Sequence, residues 1–214
     1  MSLDQVQLYL CTNARKTEND FPSFLDAAFA GGVDVIQLRD KSIEAAEELE
    51  LLSVLRAVAE RRGKLWAVND RADIAVLSEA PVLHVGQKDL SVPDARRLVG
   101  KATVIGRSSH TPQQVSAALV DPRLDYFCVG PVWATPTKPG RSAVGAELVR
   151  YAAEQVRHSK SSLPWFAIGG IDLGNVQQVV AAGASRVVVV RAITEADDPT
   201  EAARQLRACL PSLA

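Results

Sequence analysis

Short runs dominated by Val, Ile and Leu recur along the chain, separated by longer stretches with helical spacing. Eight of these runs predict strands: Val6–Thr12, Val33–Arg39, Leu65–Asn69, Val82–Val85, Thr103–Ser108, Tyr126–Val129, Trp165–Ile168 and Arg186–Val190. Most are almost continuously apolar, the pattern of strands covered on both faces. The helical stretches carry recognisable starts. Ser42 precedes the apolar-periodic run that Gly63 stops, which predicts a helix with Ser42 as its cap. Thr111-Pro112-Gln113-Gln114 offers a capping hydroxyl, a proline at the first helical position and a capping-box glutamine. Asp198-Pro199-Thr200-Glu201 repeats the device, and Ser91 predicts the cap of a short helix after the fourth strand.

Strand and helix alternate through the whole chain, which means parallel pairing with crossover helices. Eight such units predict a closed (β/α)8 TIM barrel, α/β in class, with residues 1–214 as a single domain. An open doubly wound sheet is the alternative. It would normally place a glycine-rich nucleotide turn after the first strand, and Cys11–Thr17 reads C-T-N-A-R-K-T, without glycine.

Composition narrows the classes further. Of 214 residues, 47% are hydrophobic, enough for one sizeable core. Lys+Arg number 24 against 25 Asp+Glu, so the basic excess of a general nucleic-acid binder is missing. Cys11, Cys128 and Cys209 are odd in number, far apart and without a C-x-x-C pair. They argue against a zinc site or a disulfide framework and are expected to fill apolar space. No basic start leads into an apolar segment, and the longest apolar runs are only strand-length. The expectation is a cytoplasmic protein with neither nucleic acid nor membrane as partner.

In a (β/α)8 barrel the chemistry sits at the carboxyl ends of the strands. After the second strand, Gln37, Arg39 and Lys41 share one parity, so an extended segment aims two cations and an amide the same way. That set suits phosphate or pyrophosphate; a solvated strand end is the plainer reading. After the third and fourth strands come Asn69-Asp70 and Gly86-Gln87-Lys88-Asp89. Neighbouring strands would bring Asp70 and Asp89 side by side, where two carboxylates repel unless a metal lies between them. Mg²⁺ takes hard oxygen ligands, often one or two carboxylates plus substrate phosphate. The alternative is that Asp70 caps the next helix and Asp89 caps a turn.

The fifth strand ends in Gly106-Arg107-Ser108-Ser109-His110-Thr111. Its hydroxyls suit either phosphate oxygens or simple capping, and His110 is either a proton shuttle or structural. Gly130–Gly145 is longer than the usual loop and offers Thr135, Thr137 and Lys138 around a stiffening Pro136. Trp133 is expected to pack on the barrel rim. Gly169-Gly170 after the seventh strand and Val190-Arg191 after the eighth stand where this fold commonly binds phosphate through backbone amides. One face thus carries two anionic subsites, a layout suited to joining two phosphorylated molecules.

Six stretches, in order and spread over most of the chain, resemble the thiamine-phosphate synthase (thiamine-phosphate pyrophosphorylase) family. They are Q-L-R-D-K at Gln37–Lys41, N-D at Asn69–Asp70, H-V-G-Q-K-D-L at His84–Leu90, G-R-S-S-H-T at Gly106–Thr111, G-P-V-W-A-T-P-T-K at Gly130–Lys138 and A-I-G-G-I at Ala167–Ile171. The resemblance implies a transferase that joins 4-amino-2-methyl-5-hydroxymethylpyrimidine diphosphate to 4-methyl-5-(2-hydroxyethyl)thiazole phosphate. The products would be thiamine monophosphate and pyrophosphate, and the path dissociative.

The resemblance also implies roles. Gln37, Arg39, Lys41 and Asn69 would bind the pyrimidine diphosphate, and Asp70 and Asp89 would hold Mg²⁺ on it. Ser108 and Lys138 would contact the leaving pyrophosphate. Thr135, Thr137, Gly170 and the backbone at Val190–Arg191 would bind the thiazole phosphate. Arg39, Lys41, Ser108 and Lys138 would be the catalytic set. Arg191 departs from the family, which carries a small polar residue there, and Arg107 has no role in this scheme. The rival readings are a thiazole tautomerase-like isomerase and a non-catalytic phosphometabolite-binding barrel. A homo-oligomer is compatible with all three.

Overall fold

The structure is a computed structural model that describes residues 2–135, 142–159 and 161–213. Eight strands form: β1 (Leu8–Thr12), β2 (Val35–Leu38), β3 (Leu65–Asn69), β4 (Val82–Val85), β5 (Val104–Ser109), β6 (Tyr126–Val129), β7 (Trp165–Ile168) and β8 (Val187–Val189). Each pairs in parallel with the next, and β8 pairs with β1, so the sheet closes into a barrel in sequence order. The helices are α1 (Phe21–Ala30), α2 (Ala45–Arg62), α3 (Ala72–Leu77), α4 (Val92–Val99), α5 (Pro112–Val120), α6 (Gly145–Ser159) and α7 (Val176–Ala181), with α8 (Arg191–Thr194) and α9 (Pro199–Ala208) after the last strand. Among the described residues no helix is long and apolar enough to cross a membrane.

β3, β4, β6 and β7 have the bounds that the apolar runs predict. β1, β2 and β8 are trimmed at their ends and β5 is displaced by one residue, because burial of an apolar side chain extends past the last ladder hydrogen bond. Ser91, Thr111 and Asp198 cap their helices as expected, accepting from the backbone N–H of Asp94, Gln114 and Glu201. Gly63 ends α2 in the left-handed conformation at φ 62°, open to glycine at little cost. Ser42 is a correction. α2 begins only at Ala45, its cap Glu44 makes no side-chain capping bond, and Ser42 instead donates its hydroxyl and N–H to Asp40 Oδ1. Asp40 also accepts from the Ala14 N–H, so it ties the loop after β2 to the loop after β1.

Strand parity sorts the core into two parts. Leu10, Ile36, Val68, Leu83, Ile105, Phe127 and Val187 face the helices and form the outer core. Tyr9, Cys11, Val35, Ala67, Val82, Tyr126, Cys128, Phe166 and Val188 form the separate interior of the barrel. Cys11 and Cys128 are therefore buried in that interior, while Cys209 is half-buried against the outer core.

The amino-terminal rim is fixed by one carboxylate. Asp34, 3% exposed, accepts from the backbone N–H groups of Gln7 and Leu8 and pairs with Lys64 at 2.8 Å and Arg207 at 2.7 Å. It binds β1, β2, the end of α2 and α9 together. Removing one member of such a buried pair leaves the others desolvated and unpaired. Asp34→Ala should therefore lower the free energy of unfolding by about 3 kcal/mol. Denaturant unfolding checks this; a loss under about 0.5 kcal/mol, the range of surface substitutions, would show that Asp34 is no clamp.

Candidate active site

The carboxyl ends of the strands enclose a cavity of ≈ 260 Å³. Its floor is the top of the barrel interior, and the polarity of that floor changes over a single two-residue step. On β2 to β5 the inward side chains pass from Val35 to Gln37, Ala67 to Asn69, Val82 to His84 and Gly106 to Ser108. On the remaining strands they pass from Tyr126 to Cys128, Phe166 to Ile168, Val188 to Val190 and Tyr9 to Cys11. One half of the floor is polar and the other is mostly apolar.

The polar half is hydrogen-bonded throughout. Gln37 Nε2 donates to Asn69 Oδ1 at 2.7 Å, and the Tyr9 hydroxyl donates to Gln37 Oε1 at 2.8 Å. The Tyr9 and Tyr126 hydroxyls lie 3.3 Å apart, Tyr126 Oη is 3.0 Å from His84 Nδ1, and His84 Nε2 is 2.9 Å from Ser108 Oγ. Burial pushes both tyrosines well above their ordinary pKa, so they remain neutral hydroxyls. Phe166 packs edge-on against both rings at 5.8 and 5.6 Å and holds them from below. Gly106 lies opposite Tyr126, and a Cβ there would enter the Tyr126 ring.

Gln37, Arg39, Asn69, Ser108, Thr135, Gly170, Val190 and Arg191 all line this cavity. Gln37 and Arg39 share the inward parity. Lys41 lies past the end of β2, largely exposed, and reaches the Asp70 carboxylate at 3.0 Å. Thr137 and Lys138 lie outside the described residues. The described ends of their loop pair with each other through Val144 N–H to Pro131 and Gly145 N–H to Val132.

Asp70 and Asp89 meet side chain to side chain beside Lys41. Burial raises both carboxyls. At Asp70 the hydrogen bonds from Asp89 and Lys41 outweigh burial, and its pKa falls below the ordinary value. At Asp89 the neighbouring Asp70 adds to burial, and its pKa rises. The crowding of the two carboxyls thus pushes their affinities for a proton apart, with Lys41 favouring the ionised Asp70. Asp89 also caps a turn, accepting from Gly86 N–H at 2.8 Å, whereas Asp70, at φ 62°, precedes the cap residue of α3 and makes no helix cap. Two carboxylates forced together under a cation form the donor set a hard divalent ion takes up when substrate oxygens complete its shell. Among the described residues no cluster of three or more His, Cys, Asp or Glu forms a metal site.

On the opposite wall, Gly169 and Gly170 have φ of 102° and 68°, and Cβ atoms there would press on Pro131 and Trp133. Trp133 is accordingly half-buried against the core. Asp172 shares this wall, but its Oδ1 accepts from the Gly174 N–H at 2.9 Å. α8 begins at Arg191, whose side chain is exposed at the rim, and is anchored by Arg15, whose Nη1 donates to the Thr194 carbonyl at 2.9 Å.

His84, Tyr9 and Tyr126 form the part of the site that motif reading leaves without a role. Their signal is inward parity on predicted strands. Arg107 points outward and donates to Gln87 Oε1 at 2.9 Å, while Gln87 Nε2 donates to the Ser108 carbonyl at 2.6 Å. It therefore locks the loop carrying Asp89 onto β5. His110 lines the cavity with Nδ1 against the Gly130 carbonyl and its N–H on Gln114 Oε1 at 2.7 Å. Ser109, whose hydroxyl the motif leaves open to phosphate binding or capping, does neither: it lies in β5 facing the helices, its hydroxyl without a partner among the described residues.

The sequence family described as thiamine monophosphate synthase matches residues 8–193. A thiamine-phosphate synthase of Arthrobacter sp. (strain FB24) is 63% identical, covering 97% of this chain and 95% of its own length. One of Acidothermus cellulolyticus is 55% identical over 100% of this chain and 99% of its own. A solved structure of a thiamine phosphate pyrophosphorylase from Pyrococcus furiosus superposes with a TM-score of 0.85 at 27% identity, covering 97% of both chains.

The Gly106–Tyr126 contact yields a direct test of the floor. Gly106→Ala should cost about 1–3 kcal/mol by overpacking and displace the Tyr126 ring. A lower denaturation midpoint with an altered near-ultraviolet tyrosine signal is expected; unchanged values of both would show that the ring is not held there.

Proposed function

The chain belongs to the thiamine monophosphate synthase family, and from that premise we propose that the cavity joins 4-amino-2-methyl-5-hydroxymethylpyrimidine diphosphate to 4-methyl-5-(2-hydroxyethyl)thiazole phosphate, giving thiamine monophosphate and pyrophosphate. The observation that carries this reading is the placement of two anion-binding groups on opposite halves of one ring. Arg39, Lys41, Asp70 and Asp89 follow β2, β3 and β4, and Asn69 is the last residue of β3. Thr135, Gly170, Val190 and Arg191 follow β6, β7 and β8, which face those three strands across the eight-membered barrel.

The residues account for the chemistry as follows. Gln37 and Asn69 fix the pyrimidine end on the polar floor, and Arg39 and Lys41 hold the diphosphate by charge-assisted hydrogen bonds. Asp70 and Asp89 would hold a magnesium ion, which supplies charge neutralisation at the diphosphate oxygens when bound. As the carbon–oxygen bond opens, charge grows on the departing pyrophosphate. Arg39, Lys41, Lys138 and the Ser108 hydroxyl stabilise it where it develops. Thr135, Thr137, Gly170 and the Val190–Arg191 backbone bind the thiazole phosphate from the other side. They aim the thiazole nitrogen at the pyrimidine methylene carbon, so positioning replaces a bimolecular encounter. No general acid or base is required for the first step.

A thiazole tautomerase-like isomerase would have no use for Arg39, Lys41 and the paired carboxylates, and a binding-only barrel would show no turnover. Supplying both substrates with Mg²⁺ should release pyrophosphate in step with thiamine monophosphate. Absence of pyrophosphate with either substrate omitted is expected, and its absence with both present would overturn the reading. Asp70→Asn should cut kcat about 100-fold or more with an unchanged unfolding midpoint; near-normal rates would remove Asp70 from metal binding. Lys138→Ala should lower kcat more than it raises KM for the thiazole phosphate. A pure KM effect would take Lys138 out of the leaving-group role.

A further inference from the structure

The five contacts from Asn69 to Ser108 have a direction that their chemistry dictates. Gln37 Oε1 is only an acceptor, so the Tyr9 hydroxyl gives its single proton to it at 2.8 Å. Across the 3.3 Å contact, Tyr126 must then be the donor and Tyr9 the acceptor. With its proton so placed, Tyr126 can only accept from His84, which puts a proton on Nδ1. A neutral imidazole protonated on Nδ1 presents a bare Nε2, which accepts from the Ser108 hydroxyl at 2.9 Å. With the ring neutral, this arrangement fills all five of these contacts in the free site. It also turns the Ser108 proton into the wall.

Pyrophosphate is an acceptor-only anion, so contact with it demands the Ser108 proton. This step rests on the functional reading above. Once Ser108 donates to pyrophosphate, its oxygen has to be held by a donor, and His84 Nε2 is the group within reach. A neutral ring with Nε2–H has a bare Nδ1, which then accepts from Tyr126. The contact given up is the Tyr126–Tyr9 one, at 3.3 Å the longest of the hydroxyl and amide contacts in the chain.

We propose that pyrophosphate binding exchanges the tautomer of His84 from Nδ1–H to Nε2–H, with the Tyr126 hydroxyl turning from Tyr9 to His84. The ring gives its Nδ1 proton to solvent water in the cavity and takes one from water on Nε2, while Tyr9, Tyr126 and Ser108 each keep their own, so net charge does not change. His84 and Tyr126 are thereby positioning residues for Ser108. They hold its proton in the wall while the site is free and direct it to the anion when the site is loaded.

The test is the ¹⁵N spectrum of the full-length protein carrying ¹⁵N-histidine, recorded at one pH without and with magnesium pyrophosphate. His158, on α6 away from the cavity, serves as the internal control, and the His84 signals are those lost in His84→Gln. The expected result is a protonated Nδ1 and bare Nε2 in the free protein, and the reverse in the loaded one. The same tautomer in both states, or protons on both nitrogens in the loaded state, would overturn the proposal.

Tyr126→Phe keeps the ring against Phe166 and deletes only the hydroxyl. Its kcat should fall about five- to tenfold, the weight of one hydrogen bond, with KM for the thiazole phosphate unchanged. An unchanged kcat, or a loss confined to KM, would also overturn it. Magnesium pyrophosphate failing to bind the wild-type protein in calorimetry would instead overturn the functional reading, and this inference with it. Binding without tautomer exchange would leave that reading intact and remove only the inference.

Discussion

Closing eight parallel strands into a ring leaves each strand room for only a few inward side chains, and these must meet one another rather than water. In this chain the lower positions hold Val35, Ala67, Val82, Phe166 and Val188, which fill the interior without polar obligations. Two residues further along, β2 to β5 present Gln37, Asn69, His84 and Ser108 to the same interior. A buried polar group left unpaired costs about 1–3 kcal/mol. Several placed together are tolerable only as a connected set. The chain of hydrogen bonds through Tyr9 and Tyr126 provides that connection, and each of the four polar side chains from β2 to β5 is positioned by it.

This constraint explains features distant from the chemistry. Tyr126 can cross the barrel because β5 offers Gly106 at the facing position. Phe166 braces both tyrosines because β7 supplies the inward aromatic between them. The rim above needs separate ties, since loops have no ladder of their own. Asp40 joins the loops after β1 and β2, and Arg107 with Gln87 joins the loops of β4 and β5. The strands place the floor, and side-chain-to-backbone bonds place the rim.

Periodicity makes eight buried parallel strands legible, and the missing glycine-rich turn after the first strand separates the closed ring from an open sheet. The helix caps at Ser91, Thr111 and Asp198 are legible for the same local reason. Ser42 misleads because its hydroxyl has a nearer acceptor in Asp40, a competition that only the folded loop reveals. Lys41, Asp70 and Asp89 follow neighbouring strands of the ring, so their meeting can be read from strand order even though each charge alone has an ordinary structural explanation. His84, Tyr9 and Tyr126 lie within apolar strands, where each is indistinguishable from a core residue. Their meaning depends on which side chains from non-adjacent strands meet in the interior, and no spacing along the chain encodes that.

The same network bears on the selectivity of the proposed reaction. A dissociative step leaves an electron-poor carbon in a cavity lined by oxygen, nitrogen and sulfur atoms, and each lone pair there is a competing nucleophile. Hydrogen bonding lowers that competition. Gln37 Oε1 and Asn69 Oδ1 each accept a proton, and His84 Nε2 is engaged with Ser108 in either tautomer. On the facing half the inward side chains are mostly hydrocarbon, with Ile168 and Val190 near the rim, the Cys11 and Cys128 thiols below them, and the Tyr9 and Tyr126 hydroxyls already within the network; Cys11 itself is directed at Gln37 Oε1. In the proposed reaction the thiazole nitrogen, held by its phosphate on the facing wall, is the lone pair brought up to that carbon. Under the proposed reaction, a polar layer that looks expensive for stability would also leave fewer protein lone pairs free to meet the intermediate.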